Sequence, residues 1–152
     1  MSVKKDTSVW DKIKKGFNAN TKLSVGFFDT YYGPENDNLP VAYIASIQDQ
    51  GLGVPMRPFL SGANGLAGAL RSRPYAKDFA LSIARILEGK STFAQEYASV
   101  GKFLVKDTKD FIDDWSTPPN APLTVALKGF NDPLIESGTM RDSVEYRIEK
   151  DN

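Results

Sequence analysis

Cysteine and histidine are both absent from this chain of 152 residues, and the two absences exclude most common catalytic chemistry. Without cysteine there is no disulfide, no thiolate nucleophile and no cysteine-ligated metal. Without histidine the chain lacks the one side chain whose unperturbed pKa lies near neutrality, which is also the commonest metal ligand. Any catalysis would therefore depend on carboxylates or lysines with strongly shifted pKa values, and we expect no cofactor and no bound metal.

The chain has no excess of positive or negative charge, because 19 acidic residues balance 19 basic ones. A general nucleic-acid-binding protein usually carries a basic excess, so the balance argues against that function and leaves only local basic patches. No apolar run approaches the roughly 20 residues of a membrane span. The N-terminal MSVKKD has no apolar run behind its lysines, so we expect no signal peptide.

The remaining composition, 41% apolar and 25% charged, is typical of a globular protein, and the length fits one domain over residues 1–152. Alternating apolar residues predict strands at 22–28 and, most clearly, at 144–149. Apolar residues three or four apart predict the longer helices, which we place at about 8–16, 40–49, 76–87 and 93–115. The segment 40–49 also alternates as a strand would, although a proline at its first position favours the helix. Short helical turns are predicted from Asn120 to Gly129 and at 137–140.

Three segments show no clear hydrophobic period, neither that of a helix nor that of a strand. Residues 29–39 are rich in turn formers and predict an exposed loop. Residues 54–60 carry two prolines and can form an edge strand at best. Residues 61–74 contain three glycines spaced by three and predict a long flexible loop. This spacing superficially suggests a phosphate loop but lacks the Gly-Lys-Ser/Thr ending. Arg71 and Arg73 in this segment could meet an anionic surface or DNA, or they could simply be solvated.

Four aspartates lie within two turns of the longest predicted helix: Asp107, Asp110, Asp113 and Asp114. Carboxylates so spaced could hold Mg²⁺ or Ca²⁺, although a bare helix presents few convergent oxygens. The alternative is a solvated face whose charge is offset by nearby lysines. Two cations near the C-terminus, Lys128 and Arg141, are equally ambiguous. Either could pair with Asp132 or Glu136 inside the domain, or bridge to a neighbouring subunit.

Two stretches of the chain resemble a known family. Residues 41–51 read VAYIASIQDQG and residues 54–60 read VPMRPFL, which is similar to an "apolar helix, Gly, Pro-x-Arg-Pro-Phe" signature. Residues 128–144 read KGFNDPLIESGTMRDSV, which is similar to a "Lys-Gly-x-x-x-Pro-Leu-Ile-Asp-Thr-Gly-x-Leu-x-x-Ser-Ile" ending. Both signatures belong to the small neck and tail-completion proteins of tailed bacteriophages. Residues 48–50 read Gln-Asp-Gln where that family commonly has His-Glu-Phe, so no role is carried over for these side chains.

The resemblance implies an α+β fold, with a small antiparallel or mixed sheet packed against two or three helices. It also implies a ring of identical subunits at the head–tail junction of the virion. Such a ring completes or terminates the tail and contacts head-completion or connector proteins and tail terminator or tail tube proteins. It would assemble in the host cytoplasm, and its channel would allow passing contact with DNA.

A ring needs a subunit interface, for which arginine and aromatic residues are the usual anchors. We therefore expect Arg57 and Phe59 to anchor it. The competing interpretation is that Phe59 belongs to the core and that Arg57 makes a local pair. The full set of candidate interface residues is Met56, Arg57, Phe59, Arg71, Arg73, Lys128 and Arg141.

The sequence thus predicts a structural virion protein with no catalytic activity. The main alternative is a small phage-encoded, metal-dependent nuclease that uses the carboxylates of 107–114. A further alternative is a monomeric inhibitor or adaptor.

Overall fold

The computed structural model describes Ser8, Trp10, Asp11 and residues 21–150, and the side chains of Arg73, Pro74 and Lys150 are outside that description. In chain order the elements are β1 (Thr21–Phe27), a 3₁₀ turn (Pro34–Asn36), α1 (Val41–Gln50), α2 (Leu66–Leu70), α3 (Arg73–Leu87), α4 (Phe93–Asp113), α5 (Pro122–Lys128), α6 (Thr139–Asp142) and β2 (Val144–Lys150). The predicted helix at 8–16 lies mostly outside the described residues, of which Ser8, Trp10 and Asp11 are helical. No helix in the described part of the chain is long and apolar enough to cross a membrane.

The two predicted strands pair with each other and form one antiparallel sheet. Their register places Val25 opposite Tyr146 and Phe27 opposite Val144. Apolar residues at alternate positions turn to the same face of a strand, so this register brings their side chains onto one side of the sheet. That side packs against the core, to which β1 contributes Val25 and Phe27. The α+β fold is confirmed, with a sheet of two strands among the described residues.

Helix α4 is the element that covers the sheet. It begins with a capping box, in which the Thr92 hydroxyl accepts from the Gln95 N–H while the Gln95 side chain accepts from the Thr92 N–H. It runs without interruption through Gly101, which packs directly beneath the Tyr146 ring of β2. A Cβ added at Gly101 would lie 2.6 Å from two carbons of that ring. Glycine is therefore required here for close packing of the helix on the sheet.

The buried apolar residues form two clusters, and one face of α4 contributes to both of them. The larger cluster contains Val41, Ala45, Phe59, Ile112, Leu134, Met140 and Val144, and the smaller one contains Leu66, Val100 and Leu104. The larger cluster joins α1, the 54–60 segment and the C-terminal run, which are far apart in the sequence. Burial of apolar surface thus holds these segments together.

Residues 40–49 form a helix, as predicted, and the strand alternative is wrong. Gly51 ends α1 in the left-handed region at φ 73°, a conformation that glycine adopts without a Cβ penalty. No strand forms over 54–60, which is instead held to α1 by hydrogen bonds at its middle and at its C-terminal end. In the middle the Arg57 N–H donates to Gln48 O at 2.8 Å. At the end the carboxylate of Asp49, which is buried, accepts from the Leu60 and Ser61 N–H groups at 2.8 and 3.1 Å.

The prediction of one long loop over 61–74 is wrong in its second half, because α2 occupies Leu66–Leu70 and α3 begins at Arg73. The glycines allow a close approach of main chain to main chain. A Cβ at Gly65 would lie 2.2 Å from Phe59 O, and one at Gly68 would lie 1.7 Å from Ala63 O. Glycines at a close backbone approach and glycines of a flexible loop have the same sequence pattern.

The C-terminal run contains the predicted short helices α5 and α6 before the closing strand. Pro122 occupies the first turn of α5 and Gly129 ends it at φ 80°, as predicted. The helix is capped by Ala121, not by Asn120. Asn120 instead donates its main-chain N–H to the Asn131 side chain and so ties the start of α5 to the turn that follows it.

Candidate functional site

The two stretches that carry the family resemblance meet at one groove with a volume of about 440 Å³. One wall comes from α1 and the 54–57 segment, and the opposite wall comes from residues 133–140. Helix α5 closes a third side. The lining residues include Tyr32, Ile44, Gln48, Val54, Pro55, Arg57, Asn120, Thr124, Leu127, Lys128, Pro133, Leu134, Glu136, Thr139 and Met140. Candidate interface residues were predicted on both stretches, but this groove was not predicted.

Arg57 joins the first wall to the chain that leads into α5. Its Nη1 donates to Gln48 Oε1 at 2.6 Å, and its Nε donates to Pro118 O at 3.2 Å. Its Nη2 donates to Pro119 O at 3.3 Å and to Asn120 Oδ1 at 3.4 Å. All of these acceptors are uncharged. Burial lowers the pKa of Arg57 from its usual range, but a guanidinium stays protonated in proteins.

Arg57 and Phe59 are both buried, with relative exposures of 4% and 0%. The Phe59 ring meets the Phe27 ring edge to face, with centroids 6.3 Å apart. The expectation that these side chains anchor a subunit interface is therefore corrected: in this conformation neither offers a contact surface to a partner. The competing interpretation is correct for Phe59, which belongs to the core. Arg57 is held inside the chain, but by carbonyl and amide oxygens instead of an ion pair.

Lys128 lies on the α5 side of the groove. Its Nζ donates to Asp132 O at 2.8 Å and to Ile135 O, and it lies 4.8 Å from the centroid of the Phe130 ring. Desolvation is the largest cause that lowers the pKa of Lys128. These contacts are within the domain, which is one of the two predicted alternatives, but they reach main-chain carbonyls and not the predicted carboxylates.

Arg141 also pairs within the domain. Its partners are Asp142, at 2.9 Å from Nε, and Asp113, at 3.3 Å from Nη1. The hydrogen bond to Asp142, followed by the one to Asp113, raises the pKa of Arg141. Because Asp113 belongs to α4, this pair connects the longest helix to α6.

Two of the other predicted interface residues, Met56 and Arg71, are on the surface. Met56 is 57% exposed, and Arg71 is exposed and makes no ion pair with a described residue. Arg73 begins α3, and its side chain lies outside the described part of the chain. The structure therefore brings Arg57 and Lys128 together at the groove and leaves Met56, Arg71 and Arg141 outside its lining.

The aspartates of α4 do not converge on one point. Asp107 accepts from the Tyr75 hydroxyl, Asp110 pairs with Lys106, and Asp113 pairs with Arg141. Desolvation, followed by the charge of Asp110, raises the pKa of Asp107. Among the described residues, no group of three or more acidic side chains is arranged to hold a metal ion.

Two side chains at the first wall were not recognised from the sequence. Gln48 accepts from the Arg57 guanidinium, and Asp49 accepts from two main-chain N–H groups. Their position just before the glycine that ends α1 is the only available signal, because polar residues near a helix end often bond to the chain that follows.

Comparison with protein-family models, with curated proteins and with solved structures found no match to this chain.

Proposed function

We propose that this protein is a structural subunit of the neck of a tailed bacteriophage, where copies form a ring that completes or terminates the tail. The ring would join the tail to the head-completion or connector proteins and to the tail terminator or tail tube proteins. It would assemble in the host cytoplasm and remain in the virion, with DNA passing through its channel. The role is structural, without catalysis.

The observation that carries this proposal is the meeting of the two family-like stretches at one groove. Residues 41–60 and 128–144 are separated in the sequence by α2, α3, α4 and most of α5, yet both line the same surface depression. Arg57 and Lys128, one from each stretch, both contribute to its lining. A pair of sequence signatures is better supported as a functional unit when its members share a surface.

The apolar surface of the chain also supports a subunit that assembles. Phe79, Ile83 and Leu87 follow one another every four residues along α3, and all are at least 36% exposed. On α5, Leu123 and Leu127 are one turn apart and are 72% and 81% exposed. Single exposed apolar residues are ordinary, but stripes of them mark interaction surfaces.

The nuclease alternative gains no support from the geometry of α4. Its aspartates are engaged separately, two with cations and one with the Tyr75 hydroxyl. A nuclease needs carboxylates that share a metal or aim at one phosphate. Tight Mg²⁺ or Mn²⁺ binding by calorimetry, together with nuclease activity, would reverse our preference.

The direct test is electron microscopy of lysates from a phage in which the gene for this chain carries a stop codon. We expect separate filled heads and unjoined or overlong tails, and purified protein added to the lysate should restore joined particles. Particles that join normally without the protein would refute the proposed function. A purified chain that stays monomeric beside isolated tail tubes would favour the inhibitor or adaptor alternative.

A further inference from the structure

The groove is lined by two cations that form no ion pair with a described residue, Arg57 and Lys128, and by one carboxylate, that of exposed Glu136, so positive charge is in excess. Among the described residues, no carboxylate lies within 4 Å of Arg57 or Lys128. Arg57 is buried, and a buried charge is ordinarily paired with an opposite charge. Here both cations donate only to carbonyl and amide oxygens.

Hydrogen-bond donors are also in surplus at this site. Asn120 lines the groove, and its Nδ2 is buried without an acceptor. The acids whose charges reach Lys128 are Asp132 and Glu136, and both are exposed. A groove with unpaired cations and an unused donor is complementary to a ligand that brings carboxylate oxygens.

The same chain carries a matching acidic segment. Between Lys22 and Arg57 the sequence has no basic residue and four acids: Asp29, Glu35, Asp37 and Asp49. Asp29 pairs with Arg147, and Asp49 is buried against main-chain N–H groups. Glu35 and Asp37 are exposed, and neither forms an ion pair with a described residue. We call residues 33–38, which contain them, the acidic turn.

The acidic turn has a defined conformation. The Asn36 and Asn38 N–H groups both donate to Gly33 O, at 3.0 and 3.1 Å, and the Asp37 N–H donates to Pro34 O at 3.2 Å. Asp37 ends the 3₁₀ turn in the left-handed region at φ 53°. A segment that is ordered before it binds loses less conformational entropy on association.

We propose that the acidic turn of one copy of this chain occupies the groove of the next copy. Glu35 and Asp37 would supply the carboxylates, Lys128 would meet them directly, and Arg57 would add its charge from the wall. Exposed Tyr31 beside the turn and exposed Leu127 at the rim of the groove provide apolar contact around the charges. Turn and groove are different sets of residues, so the contact can be made head-to-tail and repeat around a ring. This inference rests on the proposed ring function and assigns the subunit interface within it.

The test is the association of the purified full-length chain, measured by native mass spectrometry and light scattering over a range of concentration and salt. The wild-type chain should form a closed oligomer that weakens as salt is raised. Glu35→Lys combined with Asp37→Asn should weaken association at least tenfold, and Asn is chosen because it tolerates a positive φ. Glu149→Lys combined with Asp114→Asn, an equal change of charge at other exposed sites, is the matched control and should leave association unchanged.

Lys128→Glu should also weaken association, and its combination with Glu35→Lys should restore it. Because Lys128 donates to two main-chain carbonyls, urea unfolding checks whether the Lys128→Glu variant still folds. The Glu35→Lys, Asp37→Asn variant changes only exposed residues, so its result does not depend on that check. An oligomer that persists unchanged in the Glu35→Lys, Asp37→Asn variant would overturn the proposal, as would a wild-type chain that is monomeric throughout. Either result leaves the neck function to be judged separately by the head–tail joining experiment.

Discussion

The contact between Gly101 and Tyr146 gives a sharp test of how α4 packs on the sheet. Replacing Gly101 with alanine has two effects of opposite sign. In a helix interior, alanine is more favourable than glycine by about 1 kcal/mol. Against this, the new Cβ would lie 2.6 Å from Cγ and Cδ2 of Tyr146 and 3.1 Å from its Cβ.

The steric effect should win. Extra atoms forced into a packed interior cost about 1–3 kcal/mol, and the ring is carried by a paired strand that cannot move away freely. We therefore expect Gly101→Ala to lower the free energy of unfolding by up to about 2 kcal/mol. In a Tyr146→Ala background the ring is gone, and the same substitution should raise the free energy of unfolding by about 0.5–1 kcal/mol.

The assay is urea unfolding, followed by the fluorescence of half-buried Trp115 and by circular dichroism, in a double-mutant cycle. Ser99→Ala, at an exposed position two residues away on the same helix, controls for helix propensity. The reasoning is refuted if Gly101→Ala stabilises the wild-type chain, or if its effect has the same sign in both backgrounds.

Three further predictions concern the groove wall, the core and the acid side of the stability curve. Asp49→Ala should lower the free energy of unfolding in urea by about 2–4 kcal/mol, because it leaves two main-chain N–H groups without their acceptor. Asp49→Asn keeps an oxygen at that position and should cost less than half as much in the same measurement. Phe59→Ala should cost about 3–5 kcal/mol by the same measurement, and a loss below 1 kcal/mol would contradict its full burial. Hydrogen bonds from Ser82 and then Ser91, together with the charge of Arg85, lower the pKa of the Glu96 carboxyl. The ionised carboxylate therefore stabilises the fold above its unfolded pKa of about 4.3, and this stabilisation is lost as pH falls through the folded pKa. Glu96→Gln should therefore flatten the decline of unfolding free energy at acid pH, and an unchanged slope between about pH 5 and 3 would contradict this assignment.

Secondary structure was predicted correctly where the hydrophobic period extended over many residues or where a glycine ended a helix. The alternation at 144–149 and the helical spacing across 93–115 each produced the element they predicted. Gly51 and Gly129 ended their helices as expected because a left-handed residue there favours glycine. The helix at 40–49 was ambiguous by period, and the proline at its start favoured the correct alternative.

The failures occurred where one sequence pattern serves two physical purposes. Three spaced glycines predicted a loop at 61–74, but all three permit contact between main chains in or beside α2. Arg57 and Phe59 are residue types common at interfaces, but here both are buried within the chain. The partners of Lys128 were missed because main-chain carbonyls are present at every residue and leave no mark in the sequence.

The sequence by itself determined the fold class, the positions of most helices and strands, and the absence of cysteine and histidine chemistry. These properties depend on local periodicity, on chain terminators and on composition, each of which can be read from neighbouring residues. Only the tertiary structure decided that two distant stretches line one groove, that Arg57 lies in its wall without a carboxylate, and that Glu35 and Asp37 are exposed. Burial and charge pairing depend on which segments meet through the hydrophobic core, and that meeting is a property of the whole chain.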